Sequence, residues 1–218
     1  MQFANRKEAG LALARKLRHY TDNPDVVVLA LPRGGVPVAH EVARALNAPL
    51  DVFIVGKLGI PGHEEYAMGA IASGGVRVMN PDIAGIGIPQ SAIESVVQCE
   101  SRELDRREQL YRGERPTLEL KGRIAILVDD GLATGSTMRA AAAAVRQRAP
   151  QRIVVAVPVA ASGTCNEFRS EVDEVVCAIT PEPFRAVGLW YEDFTQTSDD
   201  EVHALLADAR RRDTSRAA

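Results

Sequence analysis

The stretch Ile126-Leu127-Val128-Asp129-Asp130-Gly131-Leu132-Ala133-Thr134-Gly135-Ser136-Thr137-Met138 organises the chain around it. It begins as a short apolar run of the kind found in strands buried on both faces. The run ends in two adjacent carboxylates. Small and hydroxyl residues then lead into the alanine-rich segment Thr137 to Arg148, which reads as a helix stopped by Pro150. Small residues let successive backbone N–H groups converge on a phosphate, and a helix N-terminus adds favourable partial charge. Thr134, Ser136 and Thr137 can add hydroxyl donors. Asp129 and Asp130, at the strand tip, stand within one sugar's length of that cradle, where carboxylates accept hydrogen bonds from vicinal ribose hydroxyls. The local chemistry is that of a ribose-phosphate site. A Walker loop is excluded because GxxxxGK[ST] is missing, and so is the dinucleotide fingerprint GxGxxG.

The same strand-then-helix grammar extends in both directions. Upstream, Asn5 and Glu8 have capping-box spacing ahead of Ala9, Leu13 and Leu17, which predicts a helix to about Tyr20. Val26 to Leu31 is a second buried-strand run, Pro32-Arg33-Gly34-Gly35 a turn, and Val36 to Leu46 a helix. Asp51 to Val55 reads as a strand, Lys57 to Tyr66 as a Gly/Pro-punctuated loop, and Ala67 to Ala72 and Val76 to Met79 as extended pieces. Gln90 to Arg112 carries Ile93, Val96, Val97 and Leu104 on one stripe, predicting a long helix whose charged second half is exposed. Downstream, strands at Ile153 to Val159 and Val175 to Ile179 flank a helix near Gly163 to Ser170. Ser198 and Glu201 cap a last amphipathic helix through Val202, Leu205, Leu206 and Ala209.

This alternation predicts an α/β fold, a mainly parallel twisted sheet with helices on both faces, with all 218 residues in one domain. Ligands of such sheets bind outside the carboxyl ends of the strands, so the chemistry is expected after Leu31, Val55 and Val128. A net charge of −3 leaves no electrostatic footprint for nucleic acid, and the run Arg210-Arg211-Arg212 reads as a solvated tail. Cys99, Cys165 and Cys177 are odd in number and lack CxxC spacing. They read as buried or incidental thiols of a reducing compartment, suiting neither a disulfide framework nor a zinc site. No apolar run is long enough to span a bilayer, and the first residues lack a signal-peptide pattern, so a cytoplasmic protein is expected.

The paired acids followed by a Thr-Gly-x-Thr turn resemble the phosphoribosyl-diphosphate signature of type I phosphoribosyltransferases. Leu31-Pro32-Arg33-Gly34-Gly35 resembles the diphosphate loop of that family, and the segment from Lys57 to Ala70 resembles stand-alone bacterial members. The resemblance implies a core over about residues 20–180 and a small C-terminal hood over about 180–197. It further implies a reaction in which a nitrogenous acceptor, such as a nucleobase, displaces diphosphate from 5-phosphoribosyl 1-diphosphate. Mg²⁺ would be held mainly by the substrate, with Asp129 and Asp130 nearby and no direct protein ligand assigned. Arg33, Gly34, Gly35 and Lys57 would receive the diphosphate. Asp129 and Asp130 would hold the ribose, while Ala133, Thr134, Gly135, Ser136 and Thr137 would anchor the 5′-phosphate. Arg33, Lys57, Asp129 and Asp130 are thereby the catalytic candidates. A cis peptide of that family would fall between Pro32 and Arg33. The segment from Lys57 would be the loop that closes over substrate, with His63, Glu64 and Glu65 merely solvated. Phe184, Val187, Trp190 and Tyr191, in the hood candidate, would line the acceptor site. Ala133 stands where the 6-oxopurine enzymes carry an aspartate, so hypoxanthine and guanine lose support and the acceptor stays open. By analogy the protein would be a homodimer. The alternative is a non-catalytic sensor of phosphoribosyl diphosphate or nucleotide.

Overall fold

The computed structural model describes residues 2–80 and 87–217. Its centre is a five-stranded, all-parallel sheet in the order β2 (Leu50–Val52), β1 (Val26–Ala30), β6 (Ile124–Val128), β7 (Arg152–Val159), β8 (Glu174–Ile179). Strands β1 and β6 are almost wholly apolar because both of their faces are covered. Val26, Val28, Ala30, Ile126 and Val128 pack on one face, while Val27, Leu29, Ala125 and Leu127 pack on the other. The first face is covered by α1 (Arg6–Lys16), α2 (Gly35–Leu46), α3 (Gln90–Arg112) and α6 (Asp199–Ala217). The second is covered by α4 (Ser136–Arg146) and α5 (Ser162–Phe168). Both predicted helix starts are capped as expected, with Glu8 N–H donating to Asn5 Oδ1 at 3.0 Å and Glu201 N–H to Ser198 Oγ at 3.1 Å.

Chain direction makes the site. From β1 the chain turns into α2 on one face, and from the adjacent β6 it turns into α4 on the other. The two loops therefore part above neighbouring strand ends and leave a crevice at the point where strand order reverses.

Several expectations are corrected. Lys57 to Tyr66 is not a loop: β3 (Val55–Ile60) and β4 (His63–Ala72) form a hairpin that β5 (Val76–Met79) extends to a three-stranded antiparallel sheet. Ile60 pairs with His63, so Pro61-Gly62 is a two-residue turn, with Gly62 at φ +79°. Proline followed by a residue of positive φ is turn chemistry, and here it serves a hairpin. The strand expected at Asp51 to Val55 is divided. Its first part ends β2, and the chain crosses to the second sheet at Val55, with Ile54 N–H donating to Ser73 Oγ at 2.9 Å beside the crossing.

The second half of α3 is not uniformly exposed, because Tyr111 and Arg112 are buried. Arg112 reaches back to β2, donating to the Asp51 carboxylate at 3.1 Å and to the Val52 carbonyl at 2.9 Å. Cys165 of α5 and Cys177 of β8 are joined as a disulfide, against the expectation of incidental thiols, and Cys99 is free and exposed. Among the described residues no helix is long and apolar enough to cross a membrane.

Candidate functional site

The crevice is lined from both sides by residues that the sequence nominates. From β1 comes the loop Pro32 to Gly35, with a cis peptide bond between Pro32 and Arg33, as expected. Leu31 N–H donates to the Val128 carbonyl at 2.9 Å, fixing this loop against the end of β6. The fit leaves no room for side chains. A Cβ on Gly35 would stand 2.7 Å from the Val128 carbonyl oxygen and 2.9 Å from Asp129 Cα, and one on Gly34 would collide with the Asp130 carboxylate. Glycine is required here because two backbones touch. Arg33 is half-buried at the rim, its Nη1 3.7 Å from Asp199 Oδ1 at the start of α6. Asp199 also accepts from the Tyr111 hydroxyl at 2.5 Å; burial and that carboxylate push the Tyr111 pKa up to about 12.

From β6 come the two acids. Asp130 N–H donates to Asp129 Oδ1 at 2.8 Å, and Arg6 Nε donates to Asp130 Oδ2 at 2.9 Å. Burial pushes Asp129 well above the usual carboxylate range, and the neighbouring charge of Asp130 adds to it. Burial also raises Asp130, but there the Arg6 guanidinium opposes the rise. Two adjacent carboxylates thus have unlike surroundings. Hydroxyl donors or a cation arriving at this place would relieve the cost of keeping both charged.

Beyond the acids, Gly135 takes φ +75° and begins α4. Ala133, Thr134, Ser136 and Thr137 are exposed, so the first turn of α4 faces solvent with its N–H groups unspent, the arrangement that receives a phosphate. The loop's shape is held from behind. Thr164 Oγ1 donates to the Ala133 carbonyl at 2.7 Å, Arg139 Nη1 donates to the Thr134 carbonyl at 2.8 Å, and Phe168 packs under Gly135. Lys57 lies on β3 and is exposed. It lines a cavity of about 190 Å³ together with Ser136 and Thr137, so the second sheet faces the start of α4 there.

The hood candidate folds over the acids. Its residues Val187–Trp190 form a turn of 3-10 helix, and Val187 packs on Gly131. Phe184, Val187 and Trp190 are half-buried against a small apolar cluster of Phe3, Ala9, Val159 and Tyr191. Tyr191 is buried between Phe3 and Phe194, and its hydroxyl donates to the Asp130 carbonyl at 2.5 Å. That ring supports the end of β6 and is not open to a ligand, unlike the half-buried Phe184, Val187 and Trp190. His63 and Glu64 lie exposed on the hairpin. Arg6 was not nominated by the sequence. Its partner is 124 residues away, and nothing in a helix's first turn announces such a contact.

Residues 4–189 match the family model described as the phosphoribosyl transferase domain. A Mycobacterium tuberculosis protein provisionally named a phosphoribosyl transferase, found alike in strains CDC 1551 and H37Rv, is 48% identical over 210 residues, which is 96% of this chain and 47% of that protein. The chain therefore spans about half the length of the curated relatives it matches. The crystal structure of TT1426 from Thermus thermophilus superposes with a TM-score of 0.84 at 44% identity, covering 95% of this chain and 99% of that one.

Proposed function

Since the chain belongs to the phosphoribosyltransferase family, we propose that it transfers the 5-phosphoribosyl group of 5-phosphoribosyl 1-diphosphate to a small nitrogenous acceptor, releasing diphosphate. The observation that carries this reading is the packing of the Arg33–Gly35 loop on the paired acids at adjacent strand ends, with the open N-terminus of α4 following the acids and Lys57 sharing a cavity with Ser136 and Thr137.

In this mechanism the first turn of α4 and the hydroxyls of Thr134, Ser136 and Thr137 bind the 5′-phosphate. Asp129 and Asp130 accept hydrogen bonds from the ribose hydroxyls and stabilise positive character on the sugar as the bond from C1 to the diphosphate oxygen breaks. Arg33 and Lys57 take up the charge of the leaving diphosphate, Arg33 as a planar fork and Lys57 as a point charge. The electron pair of the broken bond leaves on diphosphate while the acceptor nitrogen forms the new bond to C1.

Among the described residues no group of three or more His, Cys, Asp or Glu is gathered to hold a metal. The two strand-tip carboxylates fit an ion that arrives on the substrate and keeps most of its oxygen ligands there. Mg²⁺ carried in this way would lie beside Asp129 and Asp130 and would supply charge neutralisation to the diphosphate.

Titration calorimetry with 5-phosphoribosyl 1-diphosphate, with and without Mg²⁺, followed by a diphosphate-release screen over nitrogenous bases, tests the reading. Magnesium-dependent binding with release in the presence of one base is expected. Binding without release under any acceptor would replace the transferase by a sensor, and no binding in either condition would sink both.

A further inference from the structure

The two acids at the tip of β6 differ in one respect that the proposed reaction does not use: Asp130 has a guanidinium of its own. Arg6 and Asp130 are only 11% and 16% exposed at their side chains, so the pair is largely withdrawn from water. Arg6 engages Oδ2 through Nε alone. Its Nη1 donates to the Thr195 carbonyl at 2.8 Å, and its plane lies against the Phe194 ring at 4.0 Å from the centroid. Thr195 is fixed in turn by Asp193, which accepts from its N–H and its hydroxyl. A Cβ on Gly34 would lie 3.4 Å from Arg6 Nε, so the same group also borders the diphosphate loop.

The segment that delivers Arg6 is zipped to the hood by main-chain bonds. Phe3 N–H donates to the Trp190 carbonyl at 2.8 Å, Glu192 N–H to the Phe3 carbonyl at 2.8 Å and Asp193 N–H to the Ala4 carbonyl at 3.0 Å. Arg6 is therefore the point at which the N-terminal segment, the hood and an acid of the crevice meet.

Resting on the phosphoribosyltransferase reading, we propose that Arg6 is a positioning residue for the ribose: it holds Asp130 as an oriented carboxylate and couples that orientation to the hood. A planar, permanently charged fork braced on Phe194 restricts where Oδ2 can stand, and hence where Oδ1 presents itself to a ribose hydroxyl. Without it, Asp130 faces Asp129 with no opposing charge, and two buried carboxylates side by side do not both stay ionised. The diphosphate end touches this pair only along Gly34, and its charged groups, Arg33 and Lys57, are held by other elements.

The test compares a ligand that contains the ribose with one that does not. Calorimetry with Mg²⁺ is run on the wild type, Arg6→Ala and Arg6→Lys, using 5-phosphoribosyl 1-diphosphate and inorganic diphosphate as probes, alongside thermal unfolding. Arg6→Ala is expected to weaken the phosphoribosyl ligand about tenfold or more, with diphosphate affinity kept within about twofold. Arg6→Lys recovers part of the loss by restoring the charge. If Arg6→Ala does not fold, Phe194→Leu removes the brace and is expected to give a smaller loss confined to the same ligand. Equal losses for both ligands would make Arg6 merely structural and overturn the inference, as would no loss for either. A wild type that binds no 5-phosphoribosyl 1-diphosphate brings down the proposed function and this inference with it. A wild type that binds while Arg6→Ala binds equally well brings down the inference alone.

Discussion

The two sheets hold their share of the candidate site in opposite ways. In the five-stranded parallel sheet, the loop from Arg33 to Gly35 and the acids Asp129 and Asp130 are locked backbone against backbone. In the three-stranded antiparallel sheet, Lys57 stands exposed on a hairpin whose turn at Pro61-Gly62 has open space around Gly62. In the proposed function the parallel sheet supplies geometry for the ribose and phosphates, and it tolerates little change. The hairpin supplies one charge, and its tip can vary without disturbing the core. Groups that must orient hydroxyls belong on the rigid element, whereas a point charge acting on a diphosphate needs only proximity.

That contrast can be tested from its strongest point downward. Asp129→Asn keeps the acceptor for Asp130 N–H but removes the buried charge. It is expected to weaken Mg²⁺-dependent binding of 5-phosphoribosyl 1-diphosphate about a hundredfold, while raising the melting temperature at neutral pH. The sign follows from linkage. Asp129 is raised in the folded state, so the stability it contributes is complete below the unfolded carboxylate value of about 3.9 and is lost as pH rises through the folded value. Asparagine has no such loss, and its advantage over the wild type should widen from about pH 4 upward in a series of thermal melts. A variant less stable than the wild type at neutral pH would contradict the assigned burial cost.

Next in size is one substitution made in each sheet. Gly35→Ala must push the Val128 carbonyl or Asp129 away, and chemical denaturation should show a loss of about 2 kcal/mol or more. Gly62→Ala meets no atom and suffers only from its φ of +79°, so about 1 kcal/mol is expected. Equal losses would mean that the two elements are not unequally constrained. The smallest structural effect belongs to Lys57→Ala, an exposed side chain. Diphosphate release should fall about tenfold or more with the melting temperature unmoved, and unchanged turnover would remove Lys57 from the site.

Legibility in the sequence followed the same division. Val26 to Leu31 and Ile124 to Val128 are near-continuous apolar runs because both faces are buried, and a local window suffices to read them. The caps at Asn5 and Ser198 are likewise consequences of residues close in sequence, whereas the cis bond between Pro32 and Arg33 was expected from the family resemblance alone, and the need for glycine at 34 and 35 comes from Val128 and the acids on the neighbouring strand. In the hairpin from Val55 to Ala72, the extended run Ala67 to Ala72 was legible and the stretch Lys57 to Tyr66 was not. Its Gly, Pro and charged residues give a turn-rich composition, and it becomes a pair of strands only through register with a partner. Arg112 presents the same difficulty, since a charge in the last turn of a long helix reads as solvated until Asp51 and Val52 are brought beneath it. The disulfide of Cys165 and Cys177 joins two elements whose packing no spacing rule foretells.

The sequence by itself determined the parallel α/β architecture, the small-residue and hydroxyl loop at the start of α4 and the paired acids at the end of β6, because strand burial, turn chemistry and helix capping are local properties. Only the tertiary structure decided what surrounds each acid. Asp129 is buried beside the charge of its neighbour, while Asp130 is paired with Arg6 and roofed by the hood through Tyr191. Charge state and orientation depend on desolvation and on partners more than a hundred residues away, and those exist only once the chain has closed on itself.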